Sequence, residues 1–201
     1  MLNVINALNN GQLICFPTET VYALSCNAND ASAIDKIYKI KKRNKNKPLS
    51  VFVANIDQLK EIAIVKENYL TPIKHFTPGS VTFILPLKEK NRLPKEFFQG
   101  TIGVRIPNHP IALKILNEFK NIVVATSINI SGEKSVSRAC DIPNDIKKEA
   151  SIIIENDKLV IGVESTIIDL TMDEISVLRR GKITQENIKT VFDKYGKYNR
   201  A

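Results

Sequence analysis

One segment near the middle of the chain is too apolar to face water on either side. Residues 122–125 read Ile-Val-Val-Ala, and the polar run Thr-Ser-Ile-Asn-Ile-Ser-Gly follows directly. Strands of this composition occur where helices cover both faces of a sheet. The segment therefore predicts a strand that is covered on both faces in an α/β fold.

The rest of the chain alternates short apolar runs with amphipathic segments. Strands are predicted at 13–16, 21–24, 51–54, 81–85, 101–107, 151–154, 165–170 and 175–178. Helices are predicted at 2–8, from a cap at Asn29 or Asp30 to the basic loop, at 57–76 with a break at Pro72, at 109–119 capped by Asn108, at 145–150, and to about 195 after a cap at Thr184. No repeat or linker divides the 201 residues. The pattern predicts one α/β domain, residues 1–201, with a twisted mixed parallel and antiparallel sheet flanked by helices.

Positive charge is concentrated in the loop that leads into one of these strands. Between residues 36 and 53 there is no acid, and the basic residues are Lys36, Lys39, Lys41, Lys42, Arg43, Lys45 and Lys47. Such crowding is costly unless the charges are solvated or meet an anion. In a chain of net charge +8 the loop could simply be a solvated lysine-rich turn, so charge alone leaves both interpretations open.

Short polar sequences border three of the predicted strands. Thr18 to Thr20 follow the first strand, Thr126 to Asn129 follow the apolar strand at 122–125, and Glu164 to Thr166 begin a later one. In open α/β sheets, such strand ends commonly line a ligand crevice. Each could instead be a turn that satisfies its own backbone. Three of them together with a basic loop favour a binding site for an anion.

Several other kinds of protein are not indicated. Three cysteines without a C-x-x-C pair argue against a zinc site or a disulfide framework, and two histidines are too few for a histidine-based metal cluster. Neither G-x-x-x-x-G-K-[ST] nor G-x-G-x-x-G occurs among the eight glycines. There is no signal peptide or long apolar run, so we expect a cytoplasmic protein without a membrane contact.

Six segments, in the same order along the chain, resemble the YrdC-like threonylcarbamoyl-AMP synthases. They are PTETVYAL (17–24), K-x-R followed by KPLSV (41–51), GTIGVRIPNHP (100–110), ATSINISG (125–132), ESTIIDL (164–170) and VLRRG (177–181). The resemblance spans about residues 10–185. It implies the short, single-domain form of the family, because the chain stops before an additional C-terminal domain could follow.

The resemblance implies that ATP, bicarbonate and L-threonine are converted to threonylcarbamoyl-adenylate and pyrophosphate. Other tRNA-modification proteins would use the adenylate to modify the adenosine beside the anticodon, and direct contact with tRNA is possible. Mg²⁺ would be carried by the nucleotide phosphates, with no metal site in the protein. Because the threonine carbamate and the triphosphate repel each other, fixed cations are needed to hold them together.

The resemblance also implies roles for individual residues. The catalytic residues would be Lys41, Arg43, Ser127 and Asn129. ATP would be bound by Lys41, Arg43, Lys47, Thr101, Asn129, Ser137 and Arg179. Threonine would be bound by Thr20, Arg105, Ser127 and Ser165, with Arg105 on the carboxylate.

The chain departs from the family pattern at a few positions, which bear on geometry and affinity and not on the class of reaction. The glycine and proline of K-G-R-P are replaced by Lys42 and Asn44, and Phe52 stands where many members have histidine. The other replacements are Ser135, Val136 and Arg180.

Two other functions compete with this hypothesis. A non-catalytic module could bind tRNA or other double-stranded RNA through its basic surface, but it would need lysines and no particular Ser127, Asn129 or Ser165. The intact polar strand ends therefore favour the enzyme. Carbamoyl transfer within a larger maturation factor is disfavoured, because we expect no partner domain in a chain that ends here.

Overall fold

The computed structural model describes residues 1–130 and 132–195, and within them the strands form one nine-stranded sheet. The strands are β1 (Leu13–Pro17), β2 (Tyr22–Asn27), β3 (Ser50–Phe52), β4 (Val81–Pro86), β5 (Thr101–Arg105), β6 (Val123–Ser127), β7 (Ala150–Ile153), β8 (Thr166–Asp169) and β9 (Ser176–Arg179). The helices are α1 (Leu2–Asn9), α2 (Ala31–Ile40), α3 (Ile56–Ile62), α4 (Glu67–His75), α5 (Pro110–Phe119), α6 (Asn144–Glu149) and α7 (Gln185–Tyr195). Ser131, in the polar run after β6, and the last six positions of the predicted 1–201 domain lie outside the described residues.

The sheet has the order β7-β1-β2-β6-β3-β5-β4-β8-β9. The pairs β1–β7, β3–β5 and β4–β8 are parallel, and the other neighbours are antiparallel. The predicted α/β class with a mixed sheet flanked by helices is therefore confirmed. The apolar segment that predicted a strand covered on both faces is β6, whose Val123, Val124 and Ala125 are buried and which pairs with β2 on one side and β3 on the other.

Alternate residues of each strand point to opposite faces of the sheet. On one face, which we call the helix-covered face, large apolar side chains pack against α2, α3, α4 and α7. They include Cys15, Leu24, Val51, Phe83, Val104, Val124 and Ile168, in one buried cluster with Ile37, Leu59, Ile73 and Ile188.

The opposite face, which we call the cavity face, is covered by helices over only part of its area. Phe16, Ala23, Val123 and Ala125 share a second buried cluster with residues of α1 and α5, among them Leu8 and Leu116. Beside Ser50, Ile84, Arg105 and Ala125 of β3, β4, β5 and β6 the face is open, and the candidate site lies there.

Two helix starts follow from the predicted capping chemistry. The Asp30 carboxylate accepts a hydrogen bond from the Ala33 amide at 2.9 Å, which begins α2. The Thr184 hydroxyl accepts one from the Asn187 amide at 3.2 Å, which begins α7. No helix in the described part of the chain is long and apolar enough to cross a membrane.

The predicted helix break at Pro72 is wrong, because Pro72 is buried inside α4. The chain leaves helical geometry earlier, at Ala63, which forms a β-bridge with Leu87. The amide of Ile64 donates to the Pro86 carbonyl at 2.8 Å. This pairing with the end of β4 satisfies backbone groups that a continuous helix would have used.

The predicted cap at Asn108 is also wrong, because His109 is the N-cap of α5. Its Nδ1 accepts a hydrogen bond from the Ile111 amide at 3.2 Å, and its Nε2 lies 3.2 Å from the Lys158 carbonyl. The ring is buried, with 2% of its surface exposed. With Nε2 donating and Nδ1 accepting, a neutral histidine satisfies both contacts.

Candidate active site

A cavity of about 250 Å³ lies on the open part of the cavity face. Small residues that follow strand alternation, Ala23, Ser50 and Ala125, form part of its lining. Gly103 lies between Ser50 and Ile84, where an added Cβ would be 2.7 Å from the Ser50 Oγ and 3.2 Å from the Ile84 Cδ1. Small residues on the strands therefore leave room for the cavity, and residues of the basic loop form part of its border.

Most of the site residues that the sequence predicts lie in or beside this cavity. Those that line it are Thr20, Arg43, Arg105, Ser127, Ser165 and Arg179. Lys41 and Asn129 lie behind Ser127 and contact it through hydrogen bonds. Side chains from the ends of β1, β6 and β8 thus meet beside the basic loop.

Three predicted nucleotide ligands are not among the residues that line the cavity. Lys47 is exposed in the basic loop, and its carbonyl accepts hydrogen bonds from Arg43 and Tyr38. Thr101 is exposed at the start of β5, on the same face as Arg105 but at the opposite end of the strand. Ser137 lies against Gly162. Their contacts with a nucleotide stay predictions.

Lys41 is the most deeply buried cation of the site, with 1% of its surface exposed. Its Nζ donates to the Ser127 carbonyl at 2.5 Å, to the Asn129 carbonyl at 2.7 Å and to the Asn129 Oδ1 at 2.8 Å. Burial lowers the pKa of Lys41 to about 8, and the nearby charge of Arg43 acts in the same direction.

The side chain of Arg43 forms hydrogen bonds to the backbone of the basic loop in which it lies. Its Nε donates to the Lys47 carbonyl and its Nη2 to the Pro48 carbonyl, both at 3.0 Å. Outside the cavity, Lys45 forms an ion pair with Asp35 and lies over the Phe97 ring. The loop is therefore fastened to the protein on both sides and presents Arg43 to the cavity.

The lysine that replaces the family glycine keeps a backbone geometry that glycine favours. Lys42 has φ of 49°, in the left-handed region. Glycine enters this region without the clash that a Cβ causes. Lys42 therefore adopts a conformation that a glycine would enter at lower cost.

Arg105 is held by three groups at once. Its Nη2 forms an ion pair with the Glu19 carboxylate at 2.6 Å, its Nη1 donates to the Thr20 hydroxyl at 2.9 Å, and its Nε donates to the Gly79 carbonyl at 3.1 Å. A guanidinium has five N–H groups, so one on each terminal nitrogen is left for a ligand. The ring of Phe52 lies 5.4 Å from the guanidinium carbon, where many family members have histidine.

Arg179 and Ser165 form a second network across the cavity. Arg179 donates to the Glu164 carboxylate at 2.5 Å and to the Ser165 hydroxyl at 3.0 Å. Ser165 in turn lies 2.9 Å from the Thr82 hydroxyl. Ser135, one of the replaced positions, donates to the Glu164 carboxylate at 2.5 Å.

The four cations around the cavity outnumber the two carboxylates that pair with them, Glu19 and Glu164. Burial lowers the pKa values of the three arginines as well, since each loses hydration that would stabilise its charge. An anion in the cavity would offset this cost. Within the described residues, no group of three or more His, Cys, Asp or Glu side chains could hold a metal ion.

The sequence motifs assigned no role to three polar side chains of the site, the carboxylates of Glu19 and Glu164 and the hydroxyl of Thr82. Glu19 and Glu164 lie inside the motifs PTET and EST, but a carboxylate in a site for anions has no evident role until its arginine partner is seen. Thr82 could have been selected as a site residue from the sequence, because it is a polar residue within an apolar strand.

Fold and site together define an α/β domain with a cationic small-molecule cavity, and comparison with known proteins identifies the family. The family model described as "Telomere recombination", which covers Sua5, YciO and YrdC, matches residues 6–181. The chain therefore belongs to the Sua5/YciO/YrdC family.

Individual relatives agree with this assignment. The chain is 37% identical over 186 residues to the threonylcarbamoyl-AMP synthase of Bacillus subtilis, covering 92% of this chain and 54% of the relative. The crystal structure of P. abyssi Sua5 complexed with L-threonine has a TM-score of 0.88 and 36% identity, covering 94% of this chain and 56% of the other. E. coli YciO has a TM-score of 0.85 and 26% identity, covering 92% and 91% of the two chains. The chain thus spans about half the length of the first two proteins.

Proposed function

We propose that this protein is a threonylcarbamoyl-AMP synthase, which makes threonylcarbamoyl-adenylate and pyrophosphate from ATP, bicarbonate and L-threonine. The observation that carries the proposal is the meeting of three arginines, Arg43, Arg105 and Arg179, with hydroxyl groups at one cavity, with Lys41 bonded to the Ser127 carbonyl behind it. The relative from B. subtilis bears this name, and P. abyssi Sua5 binds L-threonine.

Threonine would bind at the Arg105 end of the cavity. The two unused N–H groups of Arg105 suit a carboxylate, which accepts two parallel hydrogen bonds from a guanidinium. Thr20 and Ser165 are buried hydroxyl-bearing residues of the site, available to the rest of the amino acid. Glu19 keeps Arg105 oriented from behind.

ATP would bind on the side of the basic loop. Arg43 and Arg179 would contact its phosphates, with Ser127 and Asn129 beside them and Lys47, Thr101 and Ser137 further out. Mg²⁺ would arrive as part of the substrate, carried by the phosphates.

The reaction needs no covalent intermediate on the enzyme. The threonine amine captures carbon dioxide, which bicarbonate supplies by losing hydroxide, and becomes a carbamate; the proton that the amine loses combines with this hydroxide to form water. A carbamate oxygen then attacks the α-phosphorus, the bond to the β-phosphate oxygen breaks, and pyrophosphate leaves. The protein would contribute positioning of two anions and stabilisation of the charge that develops between them.

The adenylate would pass to other tRNA-modification proteins. In this proposal the reaction takes place in the cytoplasm. The single sheet of the described residues supports a further proposal, that residues 1–201 form one YrdC-like domain. Direct contact with tRNA is not needed for the adenylation itself.

The test is pyrophosphate release by the purified protein with Mg²⁺, ATP and bicarbonate, with and without L-threonine. We expect release that requires both bicarbonate and threonine. If the protein instead binds double-stranded RNA with an affinity that falls steeply with salt, and releases no pyrophosphate, the RNA-binding module replaces the enzyme.

A further inference from the structure

Lys41 has no N–H group left for a phosphate. An ammonium carries three N–H donors, and those of Lys41 point to three acceptors of the segment Ser127–Asn129, between 2.5 and 2.8 Å away. We call these residues the S-x-N segment. No carboxylate is among the three acceptors, so this buried charge is held by neutral oxygens alone.

We propose that Lys41 is a positioning residue, which fixes the S-x-N segment from behind and does not itself bind the nucleotide. Its effect on reaction rate rests on the proposed function, whereas its effect on the segment does not. The role differs from the phosphate contact that the sequence resemblance implies for this lysine.

The segment needs such a contact because its own oxygens converge. The carbonyls of Ser127 and Asn129 and the Asn129 Oδ1 all lie within 2.8 Å of one nitrogen, so they would repel one another if no cation stood between them. The same Oδ1 accepts a hydrogen bond from the Ser127 hydroxyl at 2.8 Å. Lys41 therefore sets the orientation of the Ser127 side chain, which lines the cavity.

The middle residue of the segment, Ile128, is joined to two other parts of the backbone, so these contacts report on the position that Lys41 gives to the segment. The Ile128 amide donates to the Tyr22 carbonyl at 3.0 Å, and the Val136 amide donates to the Ile128 carbonyl at 3.1 Å. Loss of Lys41 would let the carbonyls of the segment turn towards solvent and loosen these two hydrogen bonds.

The competing possibility is that Lys41 leaves its three acceptors and contacts a phosphate when ATP binds. Replacement by arginine separates the two, because a guanidinium binds phosphate well through its planar fork. The same fork does not match three acceptors that surround a single tetrahedral nitrogen. Arginine should therefore rescue a phosphate ligand and fail to rescue a positioning residue.

The first experiment measures amide hydrogen exchange of Ile128 and Val136 in the ligand-free protein. We expect exchange at least ten-fold faster in Lys41→Met and in Lys41→Arg. The matched control is Lys39→Met, which removes an exposed lysine paired with Asp35. It should leave both amides unchanged. Unchanged exchange in a folded Lys41→Met would overturn the proposal.

If Lys41→Met does not fold, Asn129→Ala provides the same test from the acceptor side, because it removes Oδ1 and keeps the lysine. Faster exchange of Ile128 supports the proposal, and unchanged exchange overturns it. These results hold whether or not the protein makes an adenylate.

The second experiment measures pyrophosphate release by Lys41→Arg. We expect turnover to fall at least ten-fold while the KM for ATP stays within three-fold of the original. Restored turnover would identify a phosphate ligand and overturn the proposal. Absence of pyrophosphate release from the unmutated protein would overturn the proposed function instead, and would leave the exchange result standing.

Discussion

The two faces of one sheet differ in what their side chains do. On the helix-covered face, β4 and β5 contribute Phe83 and Val104 to the core. On the cavity face the same two strands contribute Ile84 and Arg105, which line the cavity, and Gly103, which lies between Ser50 and Ile84. Alternation along a strand therefore separates packing from chemistry within single segments of sequence.

This difference teaches that the site is built by residue size as much as by reactive groups. A sheet whose every strand carried large residues on both faces would be a closed core. Here small residues on the cavity face leave space for the cavity, and arginines from the strand ends and the basic loop border this space.

The prediction with the largest expected effect tests the packing of the helix-covered face. Phe83→Ala leaves a closed void among fully buried neighbours and should reduce the free energy of unfolding by about 3–5 kcal/mol. Its sequence neighbour Ile84 faces the cavity, so Ile84→Ala should cost only about 1 kcal/mol. Urea denaturation of both variants decides, and equal losses would break the comparison.

The next effect tests the chemical half. Arg43→Ala should lower turnover by ~10²-fold, which corresponds to ~3 kcal/mol, because a preorganised charge at the cavity is lost. Lys45→Ala in the same loop removes a charge that pairs outside the cavity, so turnover should change less than three-fold. Pyrophosphate release of the two variants is the measurement. A loss below three-fold in a folded Arg43→Ala would contradict the role of Arg43.

The next prediction concerns Gly103 and Ser50 on the cavity face. The expected effect is smaller, and a second substitution should reverse it. Gly103→Ala would push the Ser50 hydroxyl out of its place, and we expect kcat/KM to fall about ten-fold, or ~1.4 kcal/mol. The double variant with Ser50→Ala removes the atom that clashes and should recover most of this loss. An additive double variant would show that the close approach of these two residues is irrelevant.

The smallest effect concerns the loop and not the sheet. Lys42→Gly should raise the free energy of unfolding by about 1 kcal/mol, because φ of 49° costs a lysine and not a glycine. Lys42→Ala keeps the Cβ and should give no gain. Thermal unfolding of both variants tests this, and equal stabilities would show that the loop carries no strain.

Much of the fold could be predicted because it follows from local chemistry. The apolarity of β6 indicated a buried strand, and Asp30 and Thr184 marked the starts of their helices. The errors came from tertiary contacts. Neither the bridge of Ala63 with Leu87 nor the carbonyl of Lys158 that His109 meets is visible in the sequence around them.

The sequence predicted which residues belong to the site but not which contacts they make there. Motif likeness selected residues that the structure does bring together, such as Thr20, Arg105 and Ser165. It could not show that Arg105 is already paired with Glu19, or that every donor of Lys41 is engaged. Such facts depend on distances between residues that are remote in the chain.

That remoteness has a consequence for how the protein comes to be active. Lys41 and Asn129 are 88 positions apart, and Arg105 and Glu19 are 86 apart. Contacts of such long range form slowly, since the intervening chain must lose its freedom before they can close. During synthesis, these contacts would therefore close only after the chain has left the ribosome at least as far as Asn129.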